Sequence, residues 1–380
     1  VPLAGYSFPY PAFTFLAAAC EVFVALMLCY KILERFYSRF ASLAATFLVL
    51  TGTCLPYFAF IRNRMSHSGD MLAGFAFFLL FLNFRERLTK QSGRLPSIYF
   101  FVFWGALAGL LVDLRYISVV YCVLPLGMAL KIFLEPTTTE AEKRELKQGI
   151  GLAFLAFLIT ISPQLAAWKK LHGVYSSLNP FTVAIGPSMK SVMSSVWQLF
   201  FSGTRGLALT EPVWLFGLTG LVLIFIKDRL LGSLCWALFL GFCVAPIVIS
   251  DPATLGQRYL IPAFPALAMG LGHLIDLLLK KRMRIVVITF SCVLSLWFYV
   301  LLLNYSYLLT FNAPDFAVRS FQNIPKLITN KLYLPPTSYL DLYRTDNLGM
   351  TDYLDFFFLI VFPILLAGVP FVLLLLGRWL

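Results

Sequence analysis

Charge is scarce in this sequence, and that scarcity decides its class. Only 13% of the 380 residues are charged and 60% are apolar, whereas roughly a quarter of a soluble domain is charged. A soluble chain of this length could not cover so much apolar surface. The sequence therefore predicts an all-α fold, a polytopic transmembrane helical bundle, because helices satisfy their own backbone hydrogen bonds in lipid.

The sequence also lacks the signatures of several functional classes. It has no phosphate-binding Walker loop, no HExxH zinc motif, no GxSxG nucleophile elbow and no dinucleotide-binding glycine fingerprint. ATP-driven transport and soluble hydrolase chemistry therefore have no support. The seven cysteines fall in or beside apolar stretches without metal-ligand spacing, which is typical of packing residues. The formal charge of +12 comes mainly from residues that flank predicted spans, so no nucleic-acid partner is expected.

About eleven apolar stretches are each near the length of roughly 20 residues that a helix needs to cross a bilayer. They cover residues 11–30, 40–61, 70–84, 97–114, 116–134, 149–168, 209–226, 231–250, 259–279, 285–306 and 353–377. The fourth and fifth stretches meet at Leu114-Arg115-Tyr116 without room for a loop. One of these two helices is therefore predicted to be broken or re-entrant. The whole chain, residues 1–380, is predicted to form a single transmembrane domain.

The distribution of Lys and Arg predicts the orientation. Most of the 30 basic residues fall in short connections on one side of the predicted spans, and the positive-inside rule makes that side cytoplasmic. Val1 is then outside and Leu380 inside. Two long segments, 169–208 and 307–352, become outer loops. The apolar spacing within 187–200 predicts an amphipathic helix, which either lies on the outer membrane surface or is an ordinary linker helix.

Polar residues recur at the outward ends of the spans, where lipid makes charge costly. After the second span, Asp70 is a candidate base or metal ligand. His67 lies one helical turn before Asp70 and is a candidate catalytic partner of it. Helix capping by Asp70 and a structural role for His67 are the alternatives. Arg115 is a candidate phosphate ligand, since a guanidinium binds phosphate oxygens in a bidentate way. Pairing of Arg115 with Asp113 is the alternative.

Two further turns place an arginine close to a glycine and to the outer start of a span. Arg205 precedes Glu211, a candidate supporting residue, in one turn. In the other turn, Arg258 follows Gln257, a candidate supporting residue, and precedes Tyr259, a further candidate phosphate ligand. Glycine lets the backbone approach a ligand closely, and a helix N-terminus adds partial positive charge. The two turns together predict recognition of a phosphate or diphosphate at the outer leaflet, with plain loop-to-helix turns as the alternative.

Four short motifs follow one another within residues 20–275. They are Met65-Ser66-His67 leading to Asp70, Gly105-Ala106-Leu107-Ala108-Gly109 leading to Arg115-Tyr116, Arg205-Gly206-Leu207 leading to Glu211-Pro212, and Gly256-Gln257-Arg258-Tyr259-Leu260-Ile261-Pro262. In this order and placement, the chain resembles the GT-C superfamily of membrane glycosyltransferases. It is most similar to the bacterial branch related to protein O-mannosyltransferases and the lipid A aminoarabinose transferase.

The resemblance implies a hexosyl or pentosyl transferase in the bacterial inner membrane. Such an enzyme takes a sugar from a polyprenyl-phosphate donor at the periplasmic face and passes it to an acceptor that the sequence does not name. Asp70 then matches the carboxylate of the second outer loop, and Arg115, Arg205 and Arg258 are candidates for the donor phosphate. The donor and membrane lipids are the expected partners. Some members of the superfamily use a divalent metal, but no ligand cluster in this sequence requires one.

The chain departs from the superfamily at its start. GT-C enzymes carry their principal catalytic Asp in the first outer loop, and residues 6–10 resemble the tail of that loop. We therefore expect one span and the first outer loop to lie upstream of Val1. Two other functions stay open, namely a non-catalytic GT-C-like subunit of a larger membrane complex and a transporter of lipids or lipid-linked sugars.

Overall fold

The protein is described from a computed structural model over residues 10–61, 66–90, 97–136, 138–173, 175, 189–202, 206–248 and 257–308. All regular structure in these ranges is helical. The α-helices are α1 (Tyr10–Glu34), α2 (Arg39–Thr51), α3 (His67–Lys90), α4 (Ile98–Leu114), α5 (Val123–Leu134), α6 (Glu140–His172), α7 (Met189–Phe201), α8 (Leu207–Thr210), α9 (Val213–Lys227), α10 (Arg229–Val248), α11 (Phe264–Lys280) and α12 (Arg284–Leu308). A π-helical turn (Tyr57–Ile61) and two 3-10 helices (Tyr116–Cys122 and Arg258–Ala263) connect them.

Six helical segments in the described ranges are long and apolar enough to cross a membrane. They are Phe13–Glu34, His67–Leu88, Tyr116–Leu134, Glu140–Leu171, Arg258–Lys280 and Arg284–Leu302. Four shorter apolar helices accompany them: Arg39–Thr51, Ile98–Leu114, Val213–Lys227 and Arg229–Val244. The all-α class and the membrane assignment are confirmed, whereas the number of about eleven spans stays a prediction. The predicted outer loop 307–352, apart from its first two residues, and the last span, 353–377, lie outside the described residues.

The centre of the bundle is built around α3 and α11. Their apolar segments are the most buried of the six, whereas few residues of α6 are buried. Close backbone approach holds neighbouring helices together. A Cβ atom on Gly105 would overlap the backbone of Ala153, and one on Gly109 would meet Thr160. The Gly105–Gly109 motif therefore packs α4 on α6 in the small-xxx-small manner of membrane helices.

The prediction that the fourth or the fifth stretch is broken is confirmed, because the fifth stretch is divided into a 3-10 helix and α5. Helix α4 ends at Leu114, and Arg115 is extended with φ −156° and ψ 120°. The chain then continues as a 3-10 helix before α5 begins. The backbone stays satisfied, because Arg115 N donates to Leu111 O at 3.0 Å and Ser118 N donates to Arg115 O at 2.8 Å.

Several connections rich in Lys and Arg gather at one end of the bundle, here called the basic end. Arg35, which follows α1, donates to Asn83 of α3 at 2.7 Å. Arg85 of α3 forms an ion pair with Asp228, which lies between α9 and α10. This grouping fits the predicted cytoplasmic loops, and the side of the membrane that the basic end faces stays a prediction.

Helix α7 confirms the helix predicted within the segment 187–200. Met193, Trp197 and Phe201 recur at every fourth residue and are exposed, so they form one apolar stripe along α7. The rings of Trp197 and Phe201 lie 4.4 Å apart between centroids. Attachment of this stripe to the outer membrane surface stays a prediction.

Candidate functional site

Asp70 is fully buried in the first turn of α3. Because α3 begins at His67, Asp70 lies inside the helix, and the alternative that it caps α3 is wrong. Its Oδ1 atom accepts a hydrogen bond of 2.6 Å from the hydroxyl of Ser118. Its Oδ2 atom lies 3.6 Å from Arg115 Nη1 and accepts no hydrogen bond among the described residues. One carboxylate oxygen is therefore held, and the other only faces a cation.

Arg115, which lies directly after α4, contacts two other parts of the chain. Besides facing Asp70, its Nη1 lies 3.0 Å from His67 Nδ1 and donates to the carbonyl of Arg258 at 3.3 Å. Burial lowers the pKa of the Arg115 guanidinium, and the Asp70 carboxylate acts in the opposite direction. A guanidinium starts from so high a pKa that Arg115 stays charged at neutral pH. The site therefore holds a fixed positive charge.

The structure changes two predicted pairings. His67 was predicted as a partner of Asp70, but its hydrogen bond runs to Arg115, and its ring packs against Phe58 with centroids 4.6 Å apart. The alternative that Asp113 pairs with Arg115 is also wrong, since the ion pair of Arg115 within the described residues runs to Asp70. Asp113 lies on α4 before the break, and its half-buried side chain does not join the site.

Arg258 and Tyr259 open the second 3-10 helix beside Arg115. The guanidinium carbons of Arg115 and Arg258 each lie 5.1 Å from the centroid of the Tyr259 ring. Arg258 Nη2 also donates to the Tyr259 hydroxyl at 3.3 Å. The electron-rich face of an aromatic ring attracts cations, so Tyr259 helps two like charges to stay near each other. The structure thus brings two of the three arginines predicted as phosphate ligands to the ring of Tyr259, which is itself a predicted ligand.

Glu211 and Gln257 fix the turn from which Arg258 projects. Glu211 is fully buried between α8 and α9. It accepts hydrogen bonds from Trp214 Nε1 at 3.0 Å and from the backbone N–H of Gln257 at 3.1 Å. Glu211 is therefore a positioning residue for Arg258, and its predicted part in a functional site stays a prediction. Arg205, the third arginine predicted as a phosphate ligand, lies outside the described residues.

Two polar residues in this region, Ser118 and Glu21, were not included in the site predicted from the sequence. Ser118 carried no signal, because a lone hydroxyl in an apolar stretch is common and its contact with Asp70 is made only by tertiary packing. Glu21 of α1 accepts a hydrogen bond from the hydroxyl of Ser68, the residue after His67. A carboxylate inside an apolar span is itself a signal of function, so Glu21 was detectable from sequence.

His67, Asp70, Arg115, Arg258 and Tyr259 are named the polar cluster here. Asp70 stands fifteen residues before Arg85 of the basic end on the same helix, which places the two about 22 Å apart. Within the described residues, no three His, Cys, Asp or Glu side chains converge as metal ligands. The cluster offers two cations and one carboxylate in a poorly hydrated setting, and this combination suits an anionic group and a proton transfer.

Comparison with known proteins finds no matching family model, no matching curated protein and no matching solved structure. The resemblance to the GT-C superfamily therefore rests on the four sequence motifs, and it stays a prediction.

Proposed function

We propose that this chain is an integral membrane glycosyltransferase. It transfers a sugar from a polyprenyl-phosphate donor to an acceptor hydroxyl at the membrane surface beside the polar cluster. The observation that carries the proposal is the convergence of Asp70, Arg115 and Arg258 from three separate parts of the chain. Buried ionisable side chains at membrane depth are expensive, and they mark functional sites by default.

The chemistry of transfer matches these charges. The acceptor oxygen forms a bond to the anomeric carbon of the sugar while the bond from that carbon to the phosphate oxygen breaks. Negative charge develops on the departing lipid phosphate, and the preorganised guanidinium groups of Arg115 and Arg258 stabilise it. Asp70 takes the proton of the acceptor hydroxyl through Oδ2. His67, held against Arg115, keeps that guanidinium in place.

A non-catalytic membrane subunit is the second candidate, and one observation favours it. Asp70 already has the Ser118 hydroxyl at 2.6 Å and Arg115 within ion-pair distance, so the cluster also serves as a buried structural ion pair. A transporter has less support. Among the described residues, the buried acidic side chains are Asp70, Glu211 and Asp276, which lie at the two ends of the bundle and do not trace a path between them.

The first test is the variant Asp70→Asn. Purified protein in detergent or nanodiscs is assayed for transfer of labelled hexose or pentose from synthetic polyprenyl-phosphate donors to a panel of acceptors. The amide keeps the shape of the carboxylate but cannot accept the proton, so transfer should fall by roughly 10²–10⁴-fold. The elution profile and thermal unfolding of the variant show whether the fold is retained.

Asp113→Asn is the matched control, because it removes a carboxylate near the same end of the bundle without touching the cluster. It should keep full transfer. Unchanged turnover in Asp70→Asn would remove Asp70 from the mechanism. Absence of transfer by the unmodified protein from every donor would favour the non-catalytic subunit.

A further inference from the structure

A cavity unrelated to the polar cluster lies between α3, α4, α5 and α6. Its volume is about 310 Å³, and its wall is almost wholly apolar. Phe84, Phe101, Trp104 and Leu146 line it. Phe84 precedes Arg85, so this part of the cavity lies at the basic end. Cavities of this size and character accept hydrocarbon groups, and water does not fill an apolar void stably.

The cavity is open toward the lipid side of the bundle. Three of its wall residues, Val119, Leu126 and Phe154, are at least half exposed, with exposed fractions of 50%, 60% and 60%. Side chains with that exposure in an apolar segment face lipid. A hydrocarbon chain can therefore enter the cavity from the bilayer without crossing the protein surface.

One face of α6 lines the cavity, and near the start of the helix this face also carries two lysines. Leu146 and Ile150 line the cavity. Lys143 precedes Leu146 by three residues and Lys147 precedes Ile150 by three, so both lysines lie on or beside that face. The Nζ atom of Lys147 lies 5.8 Å from the centroid of the Phe133 ring on α5, which places it between the two helices.

These lysines have charge available for a ligand. Lys143 Nζ donates to Glu140 at 2.8 Å, but the Glu140 side chain is 86% exposed. Water screens such a pair strongly. In the described part of the chain, no carboxylate pairs with Lys147. Arg144, between them, adds a third positive charge at the start of α6. Glu142 and Glu145 lie in the same turns, and the carboxylate of Glu142 is held by the backbone N–H of Thr139.

Trp104, which lines the cavity, gives a second and independent reason to expect a ligand there. Its side chain is 4% exposed, and its Nε1–H donates to no acceptor among the described residues. Buried donors in proteins almost always have a partner. A ligand with a hydrogen-bond acceptor on its apolar part, such as the ester carbonyl of an acyl chain, satisfies this group, whereas a plain hydrocarbon does not.

We propose that this cavity is a binding site for an anionic phospholipid of the leaflet at the basic end. One acyl chain fills the space between α4, α5 and α6, and the phosphate lies against Lys143 and Lys147. Basic pockets between membrane helices on the cytoplasmic side are the setting in which anionic headgroups bind. The site is separate from the polar cluster, and it does not depend on the proposed transfer reaction.

Native mass spectrometry of the purified protein tests the proposal. Phosphatidylglycerol and phosphatidylcholine with identical acyl chains are titrated at matched concentrations, and the bound fractions are compared. Because each cation near the headgroup contributes about 1 kcal/mol, the preference for phosphatidylglycerol should be at least about fivefold, and it should vanish in Lys143→Gln/Lys147→Gln. Ala108→Phe, which places a ring inside the cavity, should abolish binding of both lipids.

Matched controls separate this site from general attraction to lipid. Lys280→Gln/Lys281→Gln removes two charges at the same end of the bundle but outside the cavity, and Leu110→Phe adds a ring on the lipid-facing side of α4. Both should keep the preference. Equal binding of the two lipids by the unmodified protein, or a preference that survives Lys143→Gln/Lys147→Gln, would overturn the proposal. Loss of the preference in Arg258→Gln would also overturn the proposal, because it would show that the headgroup binds at the polar cluster.

Discussion

The polar cluster and the basic end both contain ion pairs, but their surroundings differ. In the cluster, the Asp70 and Arg115 side chains are 0% and 12% exposed. At the basic end, Lys280 and Asp276 form a pair at 2.7 Å whose side chains are 71% and 10% exposed. Water screens the second pair and barely reaches the first. Acidic and basic residues therefore form a partly hydrated pair at one end of the bundle and a buried pair at the other.

The largest effect should come from breaking the buried pair with Arg115→Leu. Removing the cation leaves the Asp70 carboxylate buried without compensation, so the free energy of unfolding should fall by about 3–5 kcal/mol. Thermal and denaturant unfolding in detergent, followed by tryptophan fluorescence, measure the loss. Arg85→Leu at the basic end is the control and should cost much less, because its partner Asp228 is 31% exposed.

A double variant sharpens this test. Asp70→Asn/Arg115→Leu removes both charges. Its loss in the free energy of unfolding should therefore be smaller than the sum of the losses of the two single variants. Strict additivity would show that Asp70 and Arg115 do not interact, and the comparison between the two ends would then fail.

Glu211→Gln should have the next largest effect on stability. Both carboxylate oxygens of Glu211 accept hydrogen bonds, and an amide would turn its NH₂ group toward one of the two donors. A buried donor without an acceptor costs about 1–3 kcal/mol. Unfolding measurements give the loss, and the affinity for a polyprenyl-phosphate donor should also fall because the turn before Arg258 loosens. A stability loss without any change in donor affinity would contradict the positioning role.

Arg258→Ala should weaken donor binding with a smaller change in stability. A hydrogen bond to a charged group contributes about 1.5–3 kcal/mol, so the affinity should fall by roughly tenfold to a hundredfold. Equilibrium binding of a fluorescent polyprenyl-phosphate analogue measures it. Arg284→Ala, at the start of α12, is the control. Unaltered affinity in Arg258→Ala would return Arg258 to a structural role.

The smallest effect should come from Lys280→Ala, because Lys280 is the exposed member of its pair and Asp276 keeps the hydrogen bond from Ser38 N. Surface ion pairs contribute less than about 1 kcal/mol, so unfolding should hardly change. A loss comparable to that of Arg115→Leu would mean that the basic end is as strictly organised as the cluster.

Local sequence features anticipated much of this fold and part of this site. Apolar length predicted helices such as α3 and α6, because crossing a bilayer demands them. The absence of a loop around Arg115 predicted the break. Asp70, Arg115 and Arg258 were each singled out, since a charge at a span end needs a reason.

The pairings in the site were not predictable, because they depend on how distant helices pack. Asp113 is the nearest carboxylate to Arg115 in sequence, yet Asp70 is its ion-pair partner. Ser118 enters the site only because the chain after Arg115 forms a 3-10 helix, which brings its hydroxyl to α3. The Gly105–Gly109 motif contributed to a family resemblance, and its observed role is to let α4 approach α6.

The extended residue Arg115 also bears on how the chain enters the membrane during synthesis. Without a loop between α4 and the following helical segment, the two must be inserted together as a hairpin, with Arg115 at its tip. Arginine is among the residues that insert least readily into a bilayer. Helix α3 is made earlier, so we expect Asp70 to be in place when Arg115 arrives. Insertion assays with and without Asp70→Asn can show whether the carboxylate assists biogenesis before it serves the folded protein.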